Sequence, residues 1–187
     1  DWDNWNTIIN LCKPTQTMYA RKLDIKEVSV QEANTFLSHN HIQGTCKGQQ
    51  HCLALVKENT IYQIMTFGKP RYNKNYDYEL LRLCTLSGYN VIGGASKLYQ
   101  HAKTKLGMKN IISYCDKAKF TGKVYEQLGM KLSHVTEPQE IWSKGTFHIT
   151  ANLLRSRGFD QLFHTSYGKG TSNHDLMVSH GWLPGYD

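Results

Sequence analysis

A run of small residues joins an apolar strand pattern to a basic helix pattern at 89–107, YNVIGGASKLYQHAKTKLG. Gly93, Gly94 and Ala95 leave room for another group to approach the backbone, and apolar residues then recur at helical spacing up to Gly107. Successive amides at a helix start favour phosphate binding. A plain strand-to-helix turn that needs glycine explains the same residues, so the segment alone leaves both interpretations open.

Along the chain, the pattern of apolar residues predicts strand, helix, hairpin, strand, helix, strand, helix and strand, in that order. A capping box at Ser29 and Glu32 begins the first helix, and a polar turn at 58–60 separates the two hairpin strands. Ser96 is predicted to cap the helix of the small-residue segment. The order predicts an α/β (α+β) fold with a central mixed, mostly antiparallel sheet flanked by helices.

Further boundaries follow from the same pattern. We expect residues 1–20 to be an N-terminal arm or linker and 21–187 to be one domain. A helix is predicted around 120–129, a strand at 130–135 and a further helix at 146–158.

The chain of 187 residues has 22 Lys and Arg against 15 Asp and Glu, which gives a net charge of +7. This balance favours a polyanionic partner, either nucleic acid or a phosphate-bearing cofactor, although a solvated basic surface has the same composition. Five cysteines without a C-x-x-C pair argue against a disulfide framework and a zinc ribbon. No apolar run is long enough for a membrane span, so we expect a cytoplasmic protein without membrane contact.

The segments NVIGGASKL and GKVYEQLGM, with a strand between them, resemble the core of the GNAT-type acyltransferases. That family holds the coenzyme A pyrophosphate in a [Q/R]-x-x-G-x-[G/A] loop, and Asn90 stands here in place of the expected Arg or Gln. The resemblance implies a GNAT-like fold and acetyl-CoA or a related acyl-CoA as donor. It also implies that Tyr125 is the general acid toward the departing thiolate, whereas the pattern alone favours a core tyrosine. The implied cofactor-binding residues are Asn90, Gly93, Gly94, Ala95 and Ser96.

A narrower resemblance extends over about 19–187. The segments NHIQG, MTFGKPRYNKNYDYELLRLC, VIGGASKL, IISYCD and GYD are similar to Mom-like phage DNA-modification proteins and to domains fused to phage homing endonucleases. It implies a CoA-dependent transferase acting on a nucleobase amine in DNA, truncated here at both ends. The alternative is a non-catalytic DNA-binding or accessory domain with a fused or associated nuclease domain.

Four further side chains are candidates for proton transfer. Glu79 is placed to deprotonate an amine or to form a structural pair with Arg82. Asp116 follows a buried strand and is either a base or a cap of the next helix. His39 and His41 titrate near neutral pH, unless they are only solvated. Their spacing to the nearest cysteines matches no standard zinc pattern, so no metal is expected.

A polar loop, GKPRYNKNYDY, carries basic and aromatic residues in alternation. Lys69, Arg71 and Lys74 are predicted to neutralise phosphates, while Tyr72 stacks on a base. Asn40 is predicted to hydrogen-bond an adenine edge. The alternatives are an ordinary solvated loop and a helix C-terminal cap by Asn40.

Overall fold

The computed structural model describes Pro14 and residues 16–117, 120–163 and 172–186. The chain divides into two compact units, the first ending at Lys131 and the second beginning at Leu132. The sequence pattern did not separate them, since it placed 21–187 in one domain. Among the described residues, no helix has the length and apolar character that crossing a bilayer requires.

The first unit is built on a five-stranded sheet in the order β2-β3-β4-β5-β7. All neighbours are antiparallel except β5 and β7, which are parallel. The predicted mixed, mostly antiparallel sheet flanked by helices is therefore confirmed. Its elements are β1 (Gln16–Tyr19), β2 (Asp24–Glu27), α1 (Val30–Asn40), β3 (Gln49–Lys57), β4 (Thr60–Gly68), β5 (Tyr78–Thr85), β6 (Tyr89–Ile92), α2 (Gly94–Thr104), β7 (Ile111–Ser113) and α3 (Lys123–Gln127).

Alternate strand residues point to opposite faces of the sheet, and helices cover both faces. On one face, α1 packs Ala33 and Leu37 into a cluster with Cys52, Ala54, Ile64 and Cys84. On the other face, α2 packs Leu98 and Ala102 against Leu53, Leu55, Met65, Phe67 and Leu80. Apolar burial on both sides thus fixes the register of the central strands.

The start of α1 is as predicted, whereas the start of α2 is different. Ser29 Oγ accepts from the amide of Glu32, and the Glu32 carboxylate accepts from the Ser29 amide at 2.9 Å. At α2, the cap is Gly93 in the left-handed conformation with φ of 76°. Ser96 is therefore not the cap, because the chain enters the helix through a backbone conformation that glycine favours.

Three other predictions of local structure are corrected. Gln16–Tyr19 is a strand that pairs in parallel with β6, so this part of the predicted arm is ordered; 1–13 and Thr15 lie outside the described residues. Residues 130–135 do not form the predicted strand. The helix predicted at 120–129 is confined to Lys123–Gln127, because Gly122 in the left-handed conformation sets its start.

The second unit contains a three-stranded antiparallel sheet in the order β10-β8-β9. The predicted helix at 146–158 is instead strand β9 followed by a helix, which Thr150 caps by accepting from the Leu153 amide. The core is built from Trp142, Leu154, Phe159, Leu176, Met177 and Trp182. Its elements are β8 (Glu140–Lys144), β9 (Phe147–Thr150), α4 (Ala151–Arg157), α5 (Phe159–Phe163), α6 (Asn173–Ser179) and β10 (Leu183–Tyr186).

The first residue of α2 lies directly against the side chain of Gln63 on β4. A Cβ atom at Gly94 would lie 2.0 Å from Gln63 Oε1 and 2.8 Å from a methyl carbon of Val91. Gln63 is 5% exposed, and its Nε2 donates to Thr85 Oγ1 at 2.8 Å, which restricts its movement. Gly94 is therefore required by packing, whatever the adjacent amides bind.

We expect Gly94→Ala to lower the free energy of unfolding by about 1–3 kcal/mol, because the added methyl overpacks the contact with Gln63. In a Gln63→Ala background, the same substitution should cost less by at least about 0.5 kcal/mol, since the nearest obstacle is removed while the contact with Val91 remains. Urea unfolding of the four variants measures both. Gly185→Ala is the control, because its Cβ would meet its nearest atom at 3.7 Å. Equal costs in both backgrounds would contradict the packing argument.

Candidate active site

The two parallel strands β5 and β7 pair over only three residues. Tyr78, Glu79 and Leu80 face Ile111, Ile112 and Ser113, and Ser113 Oγ donates to the Leu80 carbonyl at 2.9 Å. Immediately afterwards, Leu81 has no opposite residue on β4, which is a β-bulge. β5 continues to Thr85 while β7 ends. No described strand therefore pairs with 81–85 on the side away from β4.

A cavity of about 540 Å³ lies along this part of the first unit. Leu83, Cys84 and Thr85 contribute one wall, and the start of α2 contributes another. Further lining comes from the end of α1, with Asn40, His41 and Ile42, and from residues in and around α3, with Phe120, Val124 and Gln127. The volume lies in the range of small-molecule sites, so the cavity is the candidate active site.

One end of the cavity is formed by the start of α2. Gly93, Gly94, Ala95 and Ser96 line it, as does Asn90 on β6, so all five predicted cofactor-binding residues lie together. The amides of 94–96 precede the first helical bond, from the Lys97 amide to the Gly93 carbonyl, and have no partner among the described residues. Free amides and the helix dipole make this end attractive to an anion.

The ammonium group of Lys97 does not face this anion-attracting end. Its Nζ donates to the carbonyls of Ala20 at 3.0 Å and Leu23 at 2.5 Å, on the turn that follows β1. Lys97 therefore holds α2 to the N-terminal strand. The positive potential at the helix start comes from the backbone.

Asn40 lines the cavity, but its amide group is used internally. Its Nδ2 donates to the Phe36 carbonyl at 2.8 Å, and its Oδ1 accepts from the Ser87 amide at 2.9 Å. The side chain joins the end of α1 to the turn between β5 and β6. With 6% exposure and both ends bonded, Asn40 has a structural role, and the predicted contact with a base has no support in this geometry.

His41 is a half-buried residue of the cavity wall. Its Nδ1 accepts from the Gln43 amide at 3.0 Å. Burial, and next the positive charge of Arg82, lower the His41 pKa to about 4. The imidazole is therefore neutral at pH 7.

Tyr125 lies on α3, beside the end of β7. Its hydroxyl donates to the Tyr114 carbonyl at 3.5 Å. Burial raises the pKa of this phenol above its usual value, while Ser113 opposes the shift by hydrogen bonding. The phenol is thus protonated at neutral pH and can serve as a proton donor.

Glu79 and Arg71, predicted to belong to different functions, form one structural pair. Glu79 is fully buried, and its carboxylate accepts from the Arg71 amide, Nε and Nη2 at 2.8, 2.8 and 2.5 Å. This bonding raises the pKa of Arg71. The structural partner of Glu79 is therefore Arg71 and not Arg82. Such a carboxylate is a poor base, since protonation would break the pair.

The remaining residues of the polar loop are at the surface. Lys69 is exposed, whereas Lys74 donates its ammonium to the Pro70 carbonyl. Tyr72 is 74% exposed, and its ring meets Tyr114 edge-on at 5.4 Å. Tyr72 is thus largely exposed, with the Arg71 guanidinium over its ring at 5.7 Å from the centroid.

Of the five predicted catalytic residues, His41 lines the cavity, whereas Tyr125, Glu79, His39 and Asp116 do not. His39 is exposed, and its Nδ1 lies 2.7 Å from the Thr35 carbonyl. Asp116 does not cap the next helix, whose cap is Gly122; its own carbonyl accepts from the Phe120 amide. Among the described residues, no three His, Cys, Asp or Glu side chains group closely enough to hold a metal ion.

Gln63 is a cavity residue that the sequence analysis missed. Its Oε1 is buried without a hydrogen-bond partner in the described chain. The available signal was a glutamine inside the apolar strand TIYQIMTFG. Cys84 also lines the cavity, and burial raises its pKa to about 12, so its thiol is protonated at neutral pH.

No protein-family model and no curated protein matches the chain. Solved structures similar to it include an aminoglycoside acetyltransferase from an uncultured soil metagenomic sample. Its trehalose complex has a TM-score of 0.41 and 14% identity, covering 63% of this chain and 96% of that one. Its sisomicin complex has a TM-score of 0.41 and 13% identity, covering 63% and 92%. Likeness of this degree does not assign an activity, so function must come from the cavity itself.

We expect the stability of the protein to fall as the pH is lowered from about 6.5 to 4, partly through His41. In the folded protein the His41 ring stays neutral down to its pKa of about 4, whereas in the unfolded chain it is protonated near its ordinary pKa of 6.5. The contribution of His41 to the free energy of unfolding is therefore complete above pH 6.5 and declines below that pH by at most about 3 kcal/mol.

Urea unfolding of the wild type and His41→Gln across this pH range isolates the effect, because all other titrating groups are shared. The difference between the two unfolding free energies should shrink as the pH falls. Parallel curves would show that His41 titrates normally in the folded protein.

Proposed function

We propose that the protein is an acyl-CoA-dependent N-acyltransferase whose donor occupies the cavity between β5 and α3. The observation that carries the proposal is that two backbone features line the same cavity. They are the free amides at the start of α2 and the unpaired edge of β5. An acyl-CoA has a pyrophosphate at one end and an amide-bearing arm leading to the thioester. Amides 94–96 match the first, and the part of the strand edge that lines the cavity, 83–85, matches the second.

For the transfer itself we assign the proton donor to Tyr125, which is not part of the cavity lining but follows the lining residue Val124 on α3. An amine nitrogen attacks the thioester carbonyl carbon, the C–S bond breaks, and the thiolate takes the Tyr125 phenol proton. The nitrogen loses its proton to solvent water, and the phenol recovers one from water. The acyl group passes directly to the amine, because the Cys84 thiol is protonated and a poor nucleophile.

We further propose a nucleobase amine of DNA as the acceptor. Support comes from the net charge of +7 and from Tyr72, which offers an exposed ring next to Tyr114. Aromatic rings stack on unpaired bases with little dependence on sequence, and a base in a duplex must first leave the stack. Arg71 contributes less than the sequence suggested, since its charge is paired with Glu79.

We expect Ser96→Glu to weaken coenzyme A binding at least 10-fold, because it places a negative charge among the amides that would hold the pyrophosphate. Glutamate at the third helical position stabilises the helix itself, so the fold should be retained. Ser96→Gln is the matched control, with the same size and no charge. Isothermal titration calorimetry with coenzyme A measures all three proteins.

Equal binding by the Glu and Gln variants would place the pyrophosphate elsewhere. Absence of coenzyme A binding by the wild type, together with salt-sensitive DNA binding, would instead favour a non-catalytic DNA-binding domain. If coenzyme A binds, mass spectrometry of DNA incubated with acetyl-CoA tests the acceptor. The expected product is an amine-bearing base whose mass is increased by one acetyl group.

For the DNA contact, we expect Tyr72→Ala to weaken binding of a fluorescent single-stranded oligonucleotide by about 1–3 kcal/mol through the loss of one stacked base. Tyr72→Phe keeps the ring and should bind as the wild type does. Fluorescence anisotropy at two salt concentrations measures the affinities. If Tyr72→Ala binds equally well, the tyrosine does not stack on the DNA.

A further inference from the structure

We infer that His41 is a hydrogen-bond donor to the carbonyl oxygen of the bound thioester, and not a proton acceptor. This inference rests on the proposed function and adds a catalytic residue to it. The ring of His41 lines the same cavity as Leu83, Cys84 and Thr85. It therefore shares a cavity with the strand edge along which the acyl arm is proposed to lie.

The hydrogen bond at Nδ1 fixes the tautomer of His41. A backbone amide can only donate, so the contact from the Gln43 amide requires a lone pair on Nδ1. A neutral imidazole carries one proton, which must then be on Nε2. His41 consequently has no free basic nitrogen, and its available group is the Nε2–H.

The Nε2–H is not fully buried. It has no partner among the described residues, and it is not one of the fully buried polar atoms without a partner, which are Gln63 Oε1 and Trp142 Nε1. Because His41 is half-buried and lines the cavity, we infer that a ligand in the cavity can reach its Nε2–H. Burial and Arg82 keep the ring neutral, which preserves this tautomer at pH 7.

A donor in this place acts when negative charge develops on the thioester oxygen. As the amine nitrogen bonds to the carbonyl carbon, the π electrons of the C=O bond move to oxygen, and they return when the C–S bond breaks. The Nε2–H donates to that oxygen throughout and is not transferred. Loss of one such donor typically lowers kcat by about 10²–10³.

The test compares two non-reactive coenzyme A analogues of similar size by calorimetry. One is a ketone in which a methylene group replaces the thioester sulfur, and the other is the S-ethyl thioether without a carbonyl. We expect the wild type to bind the ketone about 3- to 10-fold more tightly. His41→Gln, which retains an N–H donor, should keep the preference, and His41→Leu should lose it. His134→Leu, at an exposed histidine outside the cavity lining, is the control.

The outcomes separate the inference from the proposed function. If both analogues bind and His41→Leu still prefers the ketone, or the wild type shows no preference, the donor role is wrong while the cofactor site stands. If neither analogue binds, the proposed function fails and the inference with it. If His41→Leu does not fold, ¹⁵N NMR of the histidine rings in the wild type decides. An Nε2–H tautomer of His41 whose ¹⁵N chemical shift changes on binding the ketone but not the thioether supports the inference. An Nδ1–H tautomer of His41 overturns it.

Discussion

The architecture of the first unit depends on the short pairing of β5 with β7. After three residue pairs, Ser113 Oγ bonds to the Leu80 carbonyl, and the next residue of β5, Leu81, forms a bulge against β4. Three more paired residues would have closed the sheet over the place where the cavity lies. Because pairing stops, β5 keeps an open backbone edge in the middle of a folded unit, where an extended ligand can supply the missing partner.

The start of α2 meets this cavity because two structural contacts hold the helix in place. Gly94 lets the helix touch Gln63, and Lys97 binds the carbonyls of Ala20 and Leu23. Glycine is thus required at the two positions for separate reasons: Gly93 adopts a positive φ, and Gly94 has no space for a side chain. Neither requirement involves a bound anion. The case for phosphate rests on the unbonded amides that these contacts orient.

Sequence reasoning succeeded where a structural feature depends on neighbouring residues. The capping box of Ser29 and Glu32 and the turn between β3 and β4 are of this kind. It did not predict bonds between distant positions, such as Asn40 with the Ser87 amide, because such partners are specified by packing of the whole sheet. The apolar alternation at 130–135 shows the same limit, since a strand needs a neighbouring strand as well as a pattern.

The sequence located the predicted cofactor-binding residues of the candidate site better than the predicted catalytic residues. All five cofactor-binding candidates and His41 line one cavity, yet Glu79, assigned as a base, pairs with Arg71. The charge pattern of the loop suggested three free cations. Two of them have protein partners, the buried carboxylate of Glu79 for Arg71 and the Pro70 carbonyl for Lys74.

The histidines on either side of Asn40 show how the backbone assigns a chemical role. His39 Nδ1 lies against the Thr35 carbonyl, which can only accept, so the proton of the neutral ring is on Nδ1 and Nε2 is basic. His41 Nδ1 lies against the Gln43 amide, which can only donate, so the proton of this neutral ring is on Nε2. The basic nitrogen thus belongs to the surface residue and the N–H donor to the cavity residue. Two positions with the same side chain become a potential base and a hydrogen-bond donor, and the difference is set by the helix carbonyl and the turn amide that each ring meets.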